Sequence, residues 1–250
     1  QDAVLPGAII TIKNLDTGQL RQISSNSDGY YRATGLIPGH YEIRVAHHGF
    51  ESHVRTGVTL TVAQDAAMNV KLSLASLTEE VVVTQDLTGV ETRNSTLSFL
   101  VNERSVRDLP LNGRDMAQLF LLQPGVVNSR ASAQTANTGR GTRFSVAGAR
   151  PTQNLFTIDG TIVNDALNNT PGSAQGLLIG IETVKEFRIL ISNYNAEYTR
   201  ATGGVFVAVT KSGSNALHGS GFEFMRNSAL DARNFFDLKK PDFHRNQFGF

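Results

Sequence analysis

At 250 residues the chain is long enough to bury one large core or two smaller ones, and two domains are expected. Lys+Arg 23 against Asp+Glu 22 leaves a formal charge of +1, which supplies no long-range field for nucleic acid or an anionic membrane, so no nucleic-acid partner is expected. The absence of cysteine excludes disulfides and thiolate metal sites. No apolar run approaches the roughly 20 residues of a membrane helix. Gly 23 among short alternating segments favours β structure with tight turns. The start, Gln1, Asp2, Ala3 and Val4, lacks a signal peptide's basic head and apolar core, as expected of a cytosolic, processed or trimmed chain.

From the N-terminus, Ala8, Ile10 and Ile12 alternate with Ile9, Thr11 and Lys13 at the period of a strand with one face inside. Asp16, Thr17 and Gly18 make a turn, and Asp28-Gly29 signals a hairpin into Tyr30, Tyr31, Arg32 and Ala33. Pro38-Gly39 precedes an alternation of Tyr41, Ile43 and Val45 that closes at Gly49-Phe50. Val58, Leu60 and Val62 repeat the pattern, and Met68, Val70, Leu72 and Leu74 alternate with Asn69, Lys71 and Ser73. Strands at this spacing describe a small antiparallel β-sandwich over residues 1–77. His48 and Glu51 have His-x-x-Glu metal spacing, with His47 and His53 nearby. On a strand those two positions face opposite ways, and a catalytic site needs a third ligand and a base, so neither metal nor metallocarboxypeptidase chemistry is expected.

Pro6-Gly7-Ala8, Thr17-Gly18, Asp28-Gly29-Tyr30-Tyr31, Leu36-Ile37-Pro38-Gly39-His40-Tyr41 and Gly49-Phe50, in that order, resemble the carboxypeptidase regulatory-like domain. The resemblance covers nearly all of residues 1–77. It implies a non-catalytic immunoglobulin- or transthyretin-like sandwich of the kind grouped with carbohydrate-binding-like folds. The strand that usually precedes Pro6 in that family is reduced to a stub, the expected mark of a chain trimmed at its start.

The period then changes. Asn102 is placed to cap a helix over 103–109 stopped by Pro110, and Asn112 to cap another over 113–122 stopped by Pro124-Gly125. Met116, Leu119 and Phe120 form the apolar stripe of the second. Residues 128–142 read as a long polar loop, and Phe144, Ser145, Val146 and Ala147 as a strand. Leu155, Phe156, Thr157 and Ile158 pair with Thr161, Ile162 and Val163 around an Asp159-Gly160 turn. A second loop covers 164–173, and strands follow over 182–191 and 203–209. Residues 89–212 are thus a small α+β domain. Gly139-Arg140-Gly141-Thr142 lacks the strand before and the lysine after that a phosphate loop needs, and Asn94-Ser95-Thr96 is a sequon of the kind that polar chains produce by chance. No Ser-His-Asp order or paired carboxylates emerge, so no enzyme and no cofactor are expected.

Leu109-Pro110-Leu111-Asn112-Gly113-Arg114, residues 144–150, Phe156-Thr157-Ile158-Asp159-Gly160, Ile181-Glu182-Thr183-Val184-Lys185-Glu186, Asn195-Ala196-Glu197-Tyr198, Gly203-Gly204 and Thr210-Lys211-Ser212-Gly213 together resemble the plug domain of TonB-dependent outer-membrane receptors. A regulatory-like sandwich ahead of a plug is similar to the large Oar-like receptors. The resemblance implies a plug that occludes a barrel in the bacterial outer membrane, with sandwich and plug on the periplasmic side. It implies the energy-transducing TonB protein as periplasmic partner and an extracellular ligand of undetermined chemistry. Plug-apex loops would place Arg130, Gln134, Asn137, Asn168 and Asn169 toward that ligand, and Arg140, Arg143 and Arg150, whose other reading is a solvated surface, toward carboxylates on the barrel wall.

In residues 213–250, Ser220, Phe222 and Phe224 alternate with Gly221, Glu223 and Met225, the pattern of a transmembrane β-strand. Residues 227–244 read as a loop, and Phe248 and Phe250 begin a second alternation. Two strands cannot close a barrel in lipid, so this segment is expected to be the truncated start of one in a longer receptor.

Residues 78–88 link sandwich and plug, and within them Glu79, Glu80, Val81, Val82, Val83 and Thr84 form a β-branched run with no turn to pair it to a neighbour. The sandwich alternation ends near Leu74, so neither side is expected to need it. In the resemblance this is the place of the TonB box, an extended segment offered to a partner strand. The alternative reading of the chain is a secreted or surface carbohydrate-binding, adhesive module without transport.

Overall fold

The computed structural model describes residues 3–74, 81–84, 95–109, 111, 116–129, 142–164, 181–198, 200–213, 217, 219–233 and 235–250. Most of the ordered elements are strands. The first sheet has the order β2-β1-β3-β4-β5, built from β1 (Ile9–Asn14), β2 (Leu20–Ser24), β3 (Gly39–Ala46), β4 (His53–Leu60) and β5 (Val81–Thr84). The expected alternation is seen in what is buried: Ala8, Ile10, Ile12, Tyr41, Ile43, Val45 and Val58 form one core. Asn14 shapes the β1–β2 turn, its Oδ1 accepting the Asp16 and Thr17 amides at 2.9 and 3.0 Å.

Two expectations for this region are corrected. Residues 30–33 form no strand, because Asn26 Oδ1 accepts the Asp28 and Tyr30 amides at 3.0 and 2.8 Å and Asn26 N–H bonds back to the Tyr30 carbonyl. The turn uses those groups locally. Residues 68–72 keep their alternation, with Met68, Val70 and Leu72 against the core, but are not a ladder strand. The Tyr31 hydroxyl donates to the Met68 carbonyl at 2.9 Å, and just beyond the segment lie an isolated Phe50–Leu74 bridge and a bond from Glu51 N–H to the Ser73 carbonyl at 2.9 Å. The unit is sandwich-like, its second layer being extended chain across the described residues.

The second sheet has the order β10-β9-β12-β11-β6, from β6 (Leu97–Val101), β9 (Leu155–Ile158), β10 (Thr161–Ile162), β11 (Val184–Ser192) and β12 (Val205–Thr210). β9 and β12 run parallel; the other neighbours are antiparallel. Against it pack α1 (Glu103–Asp108), α2 (Ala117–Leu121) and the ribbon of β7 (Val126–Asn128) with β8 (Phe144–Val146). Asn102 caps α1 as expected, its side chain accepting the Ser105 amide at 2.9 Å. The second helix is shorter than expected, starting after Met116, and Asn112 lies outside the described residues. Leu119 and Phe120 are buried where α2 meets Phe144, Phe156, Phe187 and Phe206.

The Asp159-Gly160 turn is a two-residue hairpin with φ of 49° and 79°, the positive values that the right-handed twist of the flanking strands requires. Asp159 also bonds to β12, Oδ1 accepting Thr210 N–H at 3.0 Å and Oδ2 accepting Thr210 Oγ1–H at 2.8 Å. Asp159→Ala is expected to cost about 1–2 kcal/mol, read as a lower urea midpoint with an unchanged slope. At Gly203 a Cβ would lie 2.5 Å from Asn154 Oδ1, and at Gly204 one would lie 2.8 Å from the Val146 side chain. The buried Asn154 accounts for that approach: it accepts Gly204 N–H and donates to the Phe144 carbonyl, both at 2.9 Å.

In the last segment β13 (Phe222–Asn227) pairs antiparallel with β14 (His244–Gly249). The strand begins at Phe222, later than the alternation suggests. Register puts Phe222 and Phe224 on one face with Gly249 and Gln247, and Glu223 and Met225 on the other with Phe248. Gly249 leaves room for the Phe222 ring, which a Cβ there would meet at 2.7 Å.

Candidate functional site

The β-branched run at 81–84 is a strand, as its propensity requires. It is not unpaired. β5 lies parallel to β4 with His53 opposite Val81, Val54 opposite Val82, Arg55 opposite Val83 and Thr56 opposite Thr84. This corrects the expectation that neither neighbour takes the segment. A parallel partner needs a crossover of a dozen or more residues, and the chain between Leu60 and Val81 provides one by carrying Met68, Val70 and Leu72 across the core. Turn residues announce only antiparallel neighbours, so the pattern gave no hint of it. The described pairing ends beside a bulge in β4: Tyr41 faces Val58 and Ile43 faces Arg55, so Thr56 and Gly57 share one partner, with Gly57 at φ 78°. Glu79 and Glu80 lie outside the described residues.

A second constellation joins the two sheets' domains. β11 is buried on both faces. Phe187, Ile189 and Ile191 enter the aromatic core, while Glu186 and Arg188, only 7% and 8% exposed, face the first domain. Glu186 Oε1 accepts Val62 N–H at 2.5 Å, and Arg188 donates to Thr61 Oγ1 at 2.9 Å and to Ser98 Oγ at 3.2 Å. Lys185 Nζ donates to the Pro38 carbonyl at 2.9 Å. Burial pushes the Glu186 carboxyl above the usual carboxylate range, and the Val62 amide, Lys185 and Arg188 only partly offset it. The sequence held no signal for this contact. Alternating charged and apolar residues look the same whether the charged face meets water or another domain.

Of the three arginines expected at a barrel wall, Arg143 and Arg150 are among the described residues. The half-buried Arg143 precedes β8, its carbonyl accepting Ser129 N–H at 2.9 Å, and the exposed Arg150 opens the 3-10 turn Pro151–Gln153, its N–H bonded to Gln153 Oε1 at 2.9 Å. Arg130, Gln134, Asn137, Arg140, Asn168 and Asn169 lie outside the described residues. His48 and Glu51 flank a turn with Gly49 at φ 82°, which replaces the strand geometry expected for them. The His47 ring meets Phe50 edge-on at 5.4 Å. Tyr198, beside Tyr194 at 6.2 Å, has its phenol pushed up to about 12 by burial, and the Tyr194 hydroxyl donates to the Gly203 carbonyl at 2.9 Å.

Residues 1–73 match the carboxypeptidase regulatory-like domain, and residues 209–250 match an outer membrane beta barrel domain. Over 208 residues the chain is 28% identical to the TonB-dependent transporter Oar of Myxococcus xanthus. Together these matches make the chain similar to TonB-dependent receptors. The match takes in 80% of this chain and 18% of that relative's length. The barrel similarity and the likeness to a TonB-dependent transporter support an outer-membrane location.

Proposed function

We propose that the chain is the N-terminal portion of a TonB-dependent outer-membrane transporter, with residues 89–212 as the plug that gates energised uptake and β13 and β14 as the first barrel strands. No covalent chemistry is needed. A ligand binds the extracellular loops and the plug apex, where Arg130, Gln134, Asn137, Asn168 and Asn169 stand, while Arg140, Arg143 and Arg150 face the barrel wall. The TonB protein takes the segment at residues 79–84 as a strand and pulls on the plug from the periplasm.

The observation that carries this reading is the β-branched segment Val81–Thr84 standing as a main-chain-paired edge strand between the two folded domains. A strand held through its backbone groups gives a grip along the pulling direction, and the same groups serve any partner edge. In the full-length protein, deleting residues 79–84 is expected to abolish energised uptake while surface ligand binding stays normal. Val82→Pro, which removes a backbone donor and fixes φ, is expected to reduce uptake in the same direction. Uptake that persists unchanged with normal binding would reject the assignment.

A further inference from the structure

One buried guanidinium serves both domains. Arg188 donates through Nη2 to Thr61 Oγ1 of the first domain at 2.9 Å and through Nη1 to Ser98 Oγ of β6 at 3.2 Å. It therefore ties its own strand β11 to the neighbouring strand and to the turn that follows β4. We infer that Arg188 couples the docking of the first domain to the seating of β6 on β11, so that loosening either one loosens the other. The coupling stands apart from the transport reading above. Where that reading holds, it makes the docking of the first domain respond to the state of the plug's sheet.

The first-domain side of this contact is set before docking. Gln64 Oε1 accepts Thr61 N–H at 3.0 Å and Thr61 Oγ1–H at 2.9 Å. The hydroxyl proton is thus committed to Gln64, and a lone pair of the same oxygen is left to face Arg188. Between them Ala63 sits at φ 51°, the left-handed conformation that closes the turn. Val62, 3% exposed, is buried there with its N–H on Glu186. The central side is set by register. Arg188 is opposite Leu100 and Leu190 is opposite Ser98, so Arg188 and Ser98 are diagonal neighbours on one face. Glu186 lies two residues from Arg188 on that face, and Lys185 adds its bond to the Pro38 carbonyl. A guanidinium presents its donors in a rigid plane, so two acceptors on different segments fix its orientation together. Removing one acceptor leaves a buried charged donor to be satisfied elsewhere and frees the plane to turn away from the other. Docking and strand seating are in this way parts of one arrangement.

Amide hydrogen exchange on the full-length protein tests this, with each substitution made on one side and read on the other. Thr61→Val removes the first-domain acceptor, and exchange across Leu97–Val101 is expected to rise about fivefold or more. Ser98→Ala removes the β6 acceptor, and exchange of the Val62 amide is expected to rise by a comparable factor. Arg188→Lys keeps the charge but replaces the planar fork by a point charge, and is expected to loosen both places. Thr61→Val combined with Ser98→Ala is expected to add little to the larger single effect. Exchange in β12, which pairs with β11 on its other side, is expected to stay as in wild type. Effects confined to the side of each substitution would show two independent bonds and overturn the coupling. So would an equal rise in β12, which would mark general loosening, or an unchanged pattern in Arg188→Lys. Uptake is not measured in any arm, so failure here leaves the transport reading standing, and failure of that reading leaves the coupling standing.

Discussion

Phe120→Ala is expected to destabilise the central domain by about 3–5 kcal/mol, seen as a large drop in its urea midpoint. Phe120 sits on a five-residue helix, too short to hold itself in water, so its burial and that of Leu119 are what keep α2 in place. Its ring lies 4.6 Å from Phe206, 4.9 Å from Phe187 and 5.4 Å from Phe144, the last two edge-on. Phe156 is 6.1 Å away and itself stacks on Phe206 at 4.4 Å and 9°. Truncation opens a cavity among rings on four different strands and removes several favourable ring contacts at once. Phe120→Leu, which keeps much of the volume, is expected to cost markedly less. Equal costs for the two substitutions would show that the site collapses around the missing ring.

Glu186→Ala is expected to weaken the domain junction by about 1–3 kcal/mol, because the buried Val62 amide loses its acceptor. Glu186→Gln keeps an acceptor without the buried charge, and is expected to be neutral or stabilising at pH 7. The pH dependence separates the two effects. The carboxyl's folded pKa lies above the ordinary 4.5, so the native state binds the proton more tightly than the unfolded state does. Wild type therefore carries the penalty in full above the raised value. It recovers stability as pH falls from there through about 4.5, and the gap to Glu186→Gln closes over the same window. Unfolding midpoints of both proteins across that range measure it. A gap that widens toward acid would contradict the burial-driven shift.

Much of the architecture was readable because local chemistry and final structure agree at those places. Asp159-Gly160 is a turn by backbone preference alone, Asn102 caps its helix with its own side chain, and the alternation at Ala8, Ile10 and Ile12 reports one buried face. What was missed lacks such a local cause. β2 is mostly exposed, with Ile23 its one residue packed against the core, and is held beside β1 by their pairing, so no apolar period marks it. β7 is three residues long. Residues 68–72 have the period of a strand and pack as one, but no neighbouring ladder takes their backbone groups as a sheet would. The candidate site shows the same division. The β-branched run announced that 81–84 would be extended, whereas its partner lies across a crossover that no short-range pattern encodes.

The crossover also fixes how β5 is tethered. On one side it follows Leu74, which bridges to Phe50, by residues 75–80; on the other, residues 85–94 lead to Ser95 and Thr96, and Thr96 Oγ1 bonds the Asn193 carbonyl at 2.9 Å. A segment tied this closely to its docking edge meets that edge at an effective concentration of about millimolar. A partner strand of equal intrinsic affinity, free in solution at micromolar concentration, would capture about one segment in a thousand. A change that loosens the sheet, or that raises a partner's local concentration, would therefore alter occupancy more than any improvement in the four residues themselves.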